Sequence, residues 1–500
     1  MKNIKICIII CMLMLASTVS SVMGTTLSEK TSYPLTYGNI LFVGGSGPGN
    51  YTTIQSAINE SNPGDTIFVF SGTYYENVVI NNNSITLVGE NKVSTIIDGG
   101  GTGNVVYVSS DMVTISGFTM QNSGSWPNAG IRLSYSDDNT INDNILSSNN
   151  HGFSLFYSDN NTVSDNDVNS NNDIGIYLRT SSNNTITGNS VNLNNDYGIL
   201  LDYFCNNNVV SDNNVNSNNN ALGIDLYASS GNIIMDNNVN SNTFYGIALD
   251  SSNNNNIMGN TVKSNDFCGI YLDFSDNNNI TCNTVSNNGF GIAIMYTSNN
   301  NNLYHNNLIN SGGNAYDECS NTWDNGYPFG GNYWSDYSGT DANGDGIGDT
   351  PYNISGGSNQ DLYPFIEQNG WLNEPPNLPI ITGPTTGKIN VVIDYNFTTT
   401  DPDGDDVYFF IDWGDSTNSS WIGPYQSGEK IVKSHMWTKK GDYTIKVKAK
   451  DIYGNESGWR TLSVAMPYSY NLPFMQFWER LFEQFPHAFP LLRYLVGCND

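Results

Sequence analysis

The chain has 500 residues, of which 47 are acidic and 18 basic, so its formal net charge at pH 7 is −29. Only 13% of the residues are charged and 38% are hydrophobic, which is the composition of a folded chain and excludes a wholly disordered one. The acidity argues against nucleic acid or an anionic membrane surface as a partner, because both bind clusters of Lys and Arg.

Residues 1–24 predict a secretory signal peptide. Lys2 and Lys5 precede an apolar run over residues 6–16, and small residues follow as far as Gly24. This order is typical of a signal that is removed on export, the alternative being an uncleaved N-terminal anchor. No later apolar run reaches the ~18 residues of a membrane span. We therefore expect a secreted or cell-surface protein whose mature chain has no transmembrane span.

A short helix is predicted near residue 52. Thr52 and Gln55 have the spacing of a capping box, and Ile54 and Ile58 share one helical face. Strand-like runs follow at 65–70, 72–80, 84–89 and 95–99. We interpret this part as the cap and the first, less regular turns of the repeating body that comes next, since an uncovered strand edge invites aggregation.

The middle of the chain is an internal repeat with a period of 22 to 25 residues. In each unit a glycine precedes an apolar-x-apolar triplet, and the glycines are Gly130, Gly152, Gly175, Gly198, Gly223, Gly246, Gly269 and Gly291. An asparagine recurs in step with them at Asn144, Asn166, Asn189, Asn213, Asn237, Asn260, Asn283 and Asn306. A period of this length predicts a solenoid or an array.

The pattern inside each unit indicates short strands. Apolar residues alternate with polar ones at period two, and Asn, Ser, Asp and Gly, which suit tight corners, separate the runs. One unit is then one turn of a parallel β-helix, stacked ~4.8 Å above the last. Identical positions become columns, and inward asparagines can hydrogen-bond along a column.

Several motifs carry a resemblance to pectin-lyase-like right-handed β-helix proteins. The opening resembles theirs at residues 51–58, 63–67, 72–76 and 97–99, and the Asn-Thr-Ile-x-x-Asn and Tyr-Gly-Ile-x-Leu repeats resemble the subgroup named for the periplasmic copper-binding protein NosD. The resemblance covers about residues 39–365 and implies the fold. The resemblance leaves the activity of this chain open, because proteins of this fold have many different functions.

The outward columns next to the recurring Ile and Leu predict a ligand-binding face. Asp250 and Asp273 lie on adjacent turns, and Arg179 and Asp202 are neighbours in the same column. Tyrosines add flat amphipathic surface suited to sugar rings. The candidate residues for binding a polysaccharide, another glycan or a surface protein are Tyr177, Arg179, Asp202, Asp225, Tyr227, Asp250, Tyr271 and Asp273. The alternative is an ordinary solvated sheet face.

Two further functions for the repeat stay open. Asp250 and Asp273 are weak candidates for the paired carboxylates of a glycoside hydrolase, and a polysaccharide lyase would need a basic residue as well. The NosD resemblance implies copper, and Cys282 and His305 share a column near Met235 and Met258. We expect scattered polarisable side chains there rather than a copper site.

A loop at residues 341–349 predicts calcium. Asp341, Asn343, Asp345 and Asp349 occupy positions 1, 3, 5 and 9 of a calcium-type loop, and Ile347 offers its carbonyl at position 7. Tyr352 stands at position 12, where an EF-hand has glutamate, so a full EF-hand is not expected.

After the linker that begins at Glu374, strand-like runs at 390–397, 407–413, 430–437 and 443–449 predict an antiparallel β-sandwich over residues 376–466. Motifs at 401–405, 412–415, 434–437 and 441–451 resemble a polycystic-kidney-disease-type (PKD) domain, which implies an extracellular spacer or binding module. The tail, residues 467–500, has an apolar helical stripe that could pack on a domain, dock a partner or touch lipid.

Together these features predict an all-β, exported surface protein with a right-handed parallel β-helix and an immunoglobulin-like sandwich. The role we expect is recognition of glycans or other surface ligands, structural or adhesive rather than catalytic. A polysaccharide lyase or hydrolase and a NosD-like periplasmic copper-binding protein are the alternatives.

Overall fold

The computed structural model describes residues 38–82, 84–219 and 222–466, together with residues 480, 481 and 484. The predicted signal at 1–24 lies outside these residues, as does nearly all of the apolar tail at 467–500. The chain divides into two compact units between Trp371 and Leu372.

The first unit is the predicted parallel β-solenoid, built from three sheets that each receive one strand per turn. Sheet A has 12 strands: Ile40–Val43, Thr66–Val69, Thr86–Gly89, Thr114–Ser116, Thr140–Asn142, Thr162–Ser164, Thr185–Thr187, Val209–Ser211, Ile233–Met235, Asn256–Met258, Asn279–Thr281 and Asn302–Tyr304. Sheet B also has 12: Gly72–Tyr75, Thr95–Asp98, Thr119–Gln121, Ile145–Ser147, Asp167–Asn169, Ser190–Asn192, Asn214–Asn216, Asn238–Asn240, Thr261–Lys263, Thr284–Ser286, Asn307–Ile309 and Tyr333–Trp334. Sheet C has 11: Val78–Ile80, Val106–Val108, Ala129–Ser134, His151–Phe156, Ile176–Arg179, Ile199–Asp202, Ile224–Tyr227, Tyr245–Asp250, Cys268–Asp273, Phe290–Met295 and Ala315–Asp317.

The recurring glycine has a steric cause. It lies just before each sheet C strand triplet, at the corner where the chain leaves sheet B. A Cβ on Gly198 would lie 2.5 Å from Cγ1 of Val215 and 2.6 Å from the carbonyl oxygen of Gly223, and the same clash recurs at Gly223 and Gly246. Real Cβ atoms do not approach other atoms so closely, so only glycine fits where successive turns stack this tightly.

The interior consists of fully buried aliphatic columns and of asparagine ladders. The predicted column from Asn144 to Asn306 forms one ladder, in which each side-chain amide donates to the side-chain oxygen of the asparagine one turn further on. Asn213 is typical: its Nδ2 donates to Asn237 Oδ1 at 3.0 Å and to the carbonyl of Ile186 at 2.8 Å, and its Oδ1 accepts from Asn189. The ladder amides thereby satisfy one another, which low-dielectric burial requires.

Two more ladders of the same kind line the other corners. One starts at Asn139 and reaches Asn321, and the other runs from Asn149 to Asn288. Each ladder begins after a residue with positive φ near 55°, such as Asp138 or Asp143. Asn, Asp, Ser and Gly tolerate this left-handed conformation best, which accounts for their abundance at the corners.

Both ends of the solenoid are closed. The helix Ile54–Glu60 buries Ile54 and Ile58 at the N-terminal end, as predicted. Its N-cap is Thr53 rather than the expected Thr52, since Thr53 Oγ1 accepts from the main-chain N–H of Ser56. The Glu76 carboxylate accepts the N–H groups of Ile54 and Gln55 and so satisfies the helix terminus further.

At the C-terminal end two buried tryptophans cover the last turn. Trp323 Nε1 donates to Asp317 and Trp334 Nε1 to Asp361, each at 2.8 Å, and the two indole rings lie 5.7 Å apart. A short hairpin of Tyr352–Asn353 and Gln360–Asp361 delivers the second carboxylate.

The second unit is a small antiparallel β structure, consistent with the predicted sandwich. One sheet contains Ile380–Thr382, Ile393–Thr398 and Ile431–His435, and the other contains Val407–Asp412, Asn418–Tyr425, Gly441–Lys450 and Arg460–Met466. Its core is aromatic, with Trp437, Tyr395, Phe397 and Phe409 fully buried. Within the described residues of the whole chain, no helix is long and apolar enough to cross a membrane.

Candidate functional site

The outer face of sheet C brings the predicted ligand-binding residues together. Parallel pairing places Tyr177, Asp225 and Tyr271 in one column, and the next column runs through Arg179, Asp202, Tyr227, Asp250 and Asp273. Members of the second column follow one another at intervals of one turn. All eight candidates therefore lie on one continuous strip of the surface.

A hydrogen-bonded network forms the first part of this strip. Tyr177 Oη donates to Asp202 at 2.7 Å, and the Arg179 guanidinium donates to Tyr177 Oη and lies 3.5 Å from the Asp202 carboxylate. The guanidinium also lies over the Tyr203 ring at 5.3 Å. Burial, followed by the bond to Asp202, raises the pKa of Tyr177 to about 12. The three side chains hold one another in a fixed arrangement, which favours recognition with little loss of side-chain entropy.

Asp225 occupies the centre of the strip and is mostly covered, with 8% of its surface exposed. Burial raises its pKa to about 8, with a further contribution in the same direction from the neighbouring charges of Asp250 and Asp202. A carboxyl group of this kind is protonated at neutral pH and can donate a hydrogen bond.

The remaining part of the strip combines carboxylates with stacked rings. Tyr271 stacks on Tyr245, with ring centroids 4.4 Å apart and planes 7° from parallel. Asp250 and Asp273 are paired on adjacent turns, and burial and then the Asp250 charge raise the pKa of Asp273. Asp273 Oδ1 is buried and has no hydrogen-bond partner among the described residues.

Sequence reasoning missed a second group beside the strip. His151 is 1% exposed, lies 3.7 Å from Asp173, and has no hydrogen-bond partner at either ring nitrogen among the described residues. Burial lowers its pKa to about 4, so it is neutral. Burial raises the pKa of Asp196, and of Tyr197 to about 12. These residues lie in the short polar stretches that precede the recurring glycines. Those stretches could have indicated the group, but we assigned them to the corners of the solenoid.

The predicted calcium loop is a turn whose carboxylates bind its own main chain. Asp341 accepts the N–H groups of Gly344 and Gly346, Asp345 accepts that of Ile347, and Asp349 accepts that of Ala342. These bonds fix the loop and turn its oxygens toward main-chain amides. The Asp and Asn oxygens remain suitable calcium ligands, and calcium at this loop stays a prediction.

Comparison with known proteins identifies the family of the first unit. The model of the family described as periplasmic copper-binding protein (NosD) matches residues 58–220 and 203–339, which together span more than half of the chain.

The chain belongs to the NosD family.

Solved structures similar to this NosD-family protein include two β-helix enzymes and one small domain. The A-module of a mannuronan C-5 epimerase from Azotobacter vinelandii is 16% identical, covering 54% of this chain and 92% of that one, with a TM-score of 0.40. The catalytic domain of a GH87 alpha-1,3-glucanase is 13% identical, covering 63% and 71%, with a TM-score of 0.43. The PKD domain of an M14-like peptidase from a Thermoplasmatales archaeon is 53% identical over 19% of this chain and 99% of its own, with a TM-score of 0.19.

The antiparallel unit of this NosD-family protein is called the PKD-like domain below, after the motifs at 401–405, 412–415, 434–437 and 441–451 that resemble PKD-type domains. No curated protein matches the chain.

The copper that the family description names does not fit the residues we had considered. Cys282 and His305 follow paired residues of adjacent sheet A strands, and each stands at a left-handed corner. His305 Nε2 lies 2.7 Å from the carbonyl oxygen of Phe329, and its ring stacks on Trp371 at 5.4 Å. We also searched the described part of the chain for three or more His, Cys, Asp or Glu side chains whose ligand atoms lie within 4.8 Å of one another. Such a group occurs in the second unit and does not include Cys282 or His305.

Proposed function

We propose that this NosD-family protein is an extracytoplasmic glycan-binding protein, structural or adhesive rather than catalytic. Its binding surface is the outer strip of sheet C. The observation that carries this proposal is the fixed network of Tyr177, Arg179 and Asp202, continued by Asp225 and by the Tyr245–Tyr271 stack. Carboxylates and phenols hydrogen-bond to sugar hydroxyls, and exposed aromatic faces take the apolar faces of sugar rings.

The charge of the strip favours neutral sugars over uronates. The acidic residues along it and beside it are Asp173, Asp196, Asp202, Asp250 and Asp273. The nearby cations are two arginines, of which Arg179 is already engaged by Asp202 and Tyr177 and Arg132 lies over the Phe156 ring at 5.3 Å. A polyanionic chain would meet like charge along the strip, whereas a neutral polysaccharide would meet acceptors and the protonated Asp225 donor.

A glycan array with matched variants tests the proposal. Asp202→Asn and Tyr177→Phe break the network without opening the core, and we expect each to weaken binding about 10-fold or more, the effect of losing one or two hydrogen bonds to charged groups. Asp212→Asn is the control, because Asp212 is exposed, lies at a left-handed corner that Asn tolerates, and is outside the sheet C strands. Equal binding by all four proteins, or no binding to any neutral glycan, would contradict the proposal.

Hydrolysis is the second candidate, favoured by one observation. Asp225 has a pKa of about 8. Glycoside hydrolysis needs one protonated carboxyl group as the general acid and one ionised carboxylate as its partner, and a protonated Asp225 beside ionised aspartates would meet this need. Release of reducing ends from neutral polysaccharides, abolished by Asp225→Asn and by Asp250→Asn, would establish this function. Unsaturated ends from uronate polymers would instead indicate a lyase.

A further inference from the structure

Aspartates crowd the edge of the PKD-like domain where the chain enters it. Carboxylate oxygens of Asp401, Asp403 and Asp405 lie within 4.8 Å of one another. Asp451, from the loop after strand Gly441–Lys450, is close enough to raise the pKa of both Asp401 and Asp405. Asp401 is 6% exposed and Asp451 is 1% exposed, so two of these four carboxylates are buried.

One buried oxygen of this group has no hydrogen-bond partner among the described residues. Asp401 Oδ1 accepts the N–H groups of Asp403 and Asp405, at 2.9 and 3.3 Å, and thereby holds the carboxylate toward the other two. Asp401 Oδ2 is buried and has no hydrogen-bond partner among the described residues. A buried carboxylate oxygen without a partner loses its hydration without compensation, and native proteins rarely retain one without a reason.

The negative charge of the group is not balanced by basic side chains. In the part of the chain that the structure describes, no Lys, Arg or His forms an ion pair with any of these aspartates. The amine of Lys450, next to Asp451 in sequence, lies over the Trp421 ring at 4.8 Å. Carboxylates in such a group share their site with a cation or with protons.

The entering segment of the chain is attached to the same group. The main-chain N–H of Glu374 donates to Asp403 Oδ2, and Asn373 Nδ2 donates to Asp451 Oδ2, each at 2.6 Å. The other oxygen of Asp451 accepts the N–H groups of Gly454 and Asn455. The aspartates therefore join three separate stretches, at 373–374, 401–405 and 451–455.

We propose that Asp401, Asp403 and Asp405, with Asp451 beside them, form a calcium site that fastens the entering segment 373–377 to the PKD-like domain. An all-oxygen set with several short carboxylates suits a hard cation, and its irregular spacing suits the flexible coordination of Ca²⁺ better than the octahedron of Mg²⁺. The site is separate from the loop at 341–349, and it does not depend on the glycan-binding proposal.

Hydrogen–deuterium exchange of the full-length protein tests the site, because it shows which stretches of the chain are protected when Ca²⁺ is added. With free Ca²⁺ about 10-fold above its dissociation constant, we expect the main-chain N–H groups of 373–377, 401–405 and 451–455, from which Pro375, Pro376 and Pro402 are absent, to exchange about 10-fold more slowly than in a chelator. The same groups should respond less to Mg²⁺. Asp405→Asn and Asp403→Asn should each abolish the response while leaving the domain folded, because they also remove repulsion. Asp442→Asn, which removes an exposed carboxylate of the same domain, and Asp345→Asn, in the 341–349 loop, should keep it.

Two results would overturn the proposal. One is unchanged exchange at these three stretches up to about 10 mM Ca²⁺, a concentration above the range of extracellular calcium modules. The other is a calcium response that persists in both Asp403→Asn and Asp405→Asn, which would place the cation elsewhere.

Discussion

The repeated interior of the solenoid and the interior of the PKD-like domain bury different kinds of polar group. The solenoid interior contains columns of neutral asparagines, each of which donates to one neighbour and accepts from another. In the described part of the PKD-like domain, the buried polar residues are Thr399, Asp401 and Asp451, of which two are acidic. An amide side chain is both donor and acceptor, so a column of identical asparagines of any length can satisfy the hydrogen-bonding groups of its members. Identical carboxylates repel and need something else between them.

The largest effect should come from placing a carboxylate in an asparagine ladder. Asn213→Asp removes the donation to Ile186 and Asn237 and buries a charge against carbonyl oxygens. We expect a loss of about 4 kcal/mol or more of unfolding free energy at neutral pH, because such a charge is fully desolvated. Urea unfolding followed by circular dichroism measures it.

The same variant carries its own internal check. At about pH 4 the introduced carboxyl group would be protonated in the folded protein and could donate one hydrogen bond again, so stability should partly return. Asn214→Asp, on the exposed neighbouring position, is the control and should change stability by less than about 0.5 kcal/mol. Equal losses in the two variants would refute the ladder's energetic role.

The next effect concerns the aromatic core of the PKD-like domain. Trp437 is fully buried, and its indole N–H donates to the carbonyl of Trp413 at 3.3 Å. Trp437→Ala should cost about 3–5 kcal/mol through the cavity it leaves. Hydrogen exchange should show the loss in residues 380–466 and not in the solenoid, whereas Ile452→Ala, at an exposed position, should have little effect in either unit.

The smallest expected effect is a change in pH dependence at Asp225. Its pKa in the folded protein, about 8, lies above its ordinary value of 3.8, so the folded state holds a proton that the unfolded state releases. Stability from this group is complete below about pH 4 and decreases as the pH rises toward 8. Between pH 5 and 7 the unfolding free energy of the wild-type protein should therefore fall by about 2 kcal/mol more than that of the Asp225→Asn variant.

Thermal unfolding of the two proteins at several pH values measures this difference. Part of the slope should remain in the variant, because burial also raises the pKa of Asp361 to about 7. Parallel curves for wild type and Asp225→Asn would show that Asp225 ionises normally.

Much of the solenoid could be predicted from the sequence, because each turn contacts only the turns next to it. A repeat of 22 to 25 residues then fixes the register of sheet C, and with it the column from Arg179 to Asp273. The ladder from Asn144 was predicted for the same reason. The domain of antiparallel strands was harder: strands Ile380–Thr382, Asn418–Tyr425 and Arg460–Met466 were missed, since their partners lie far apart in sequence or carry no repeat.

The sites were less predictable than the fold. Spacing placed Asp225 on the outer face but gave no measure of its burial, which depends on the sizes of its neighbours in the adjacent columns. His151 was not among the candidate residues, because it lies in a polar stretch between two strand-like runs, although its ring packs 5.5 Å from the Tyr177 ring. The Asp401–Asp405 motif served only to identify the domain, because its link to Asp451 requires the folded sheet.

The hydrogen bonds between the ladder asparagines also have a direction along the axis of the solenoid. In the ladder from Asn144, each bond between two asparagine side chains runs the same way, since the amide of one asparagine donates to the oxygen of the asparagine one turn nearer the C-terminal end. Two of the three ladders end on an acidic side chain: Asn321 donates to Asp317, and Asn332, which accepts from Asn306 of the first ladder, donates to Asp361. The side-chain amide of the last asparagine in each of these two ladders therefore has an acceptor although no further asparagine follows, and the aspartate is what ends the column.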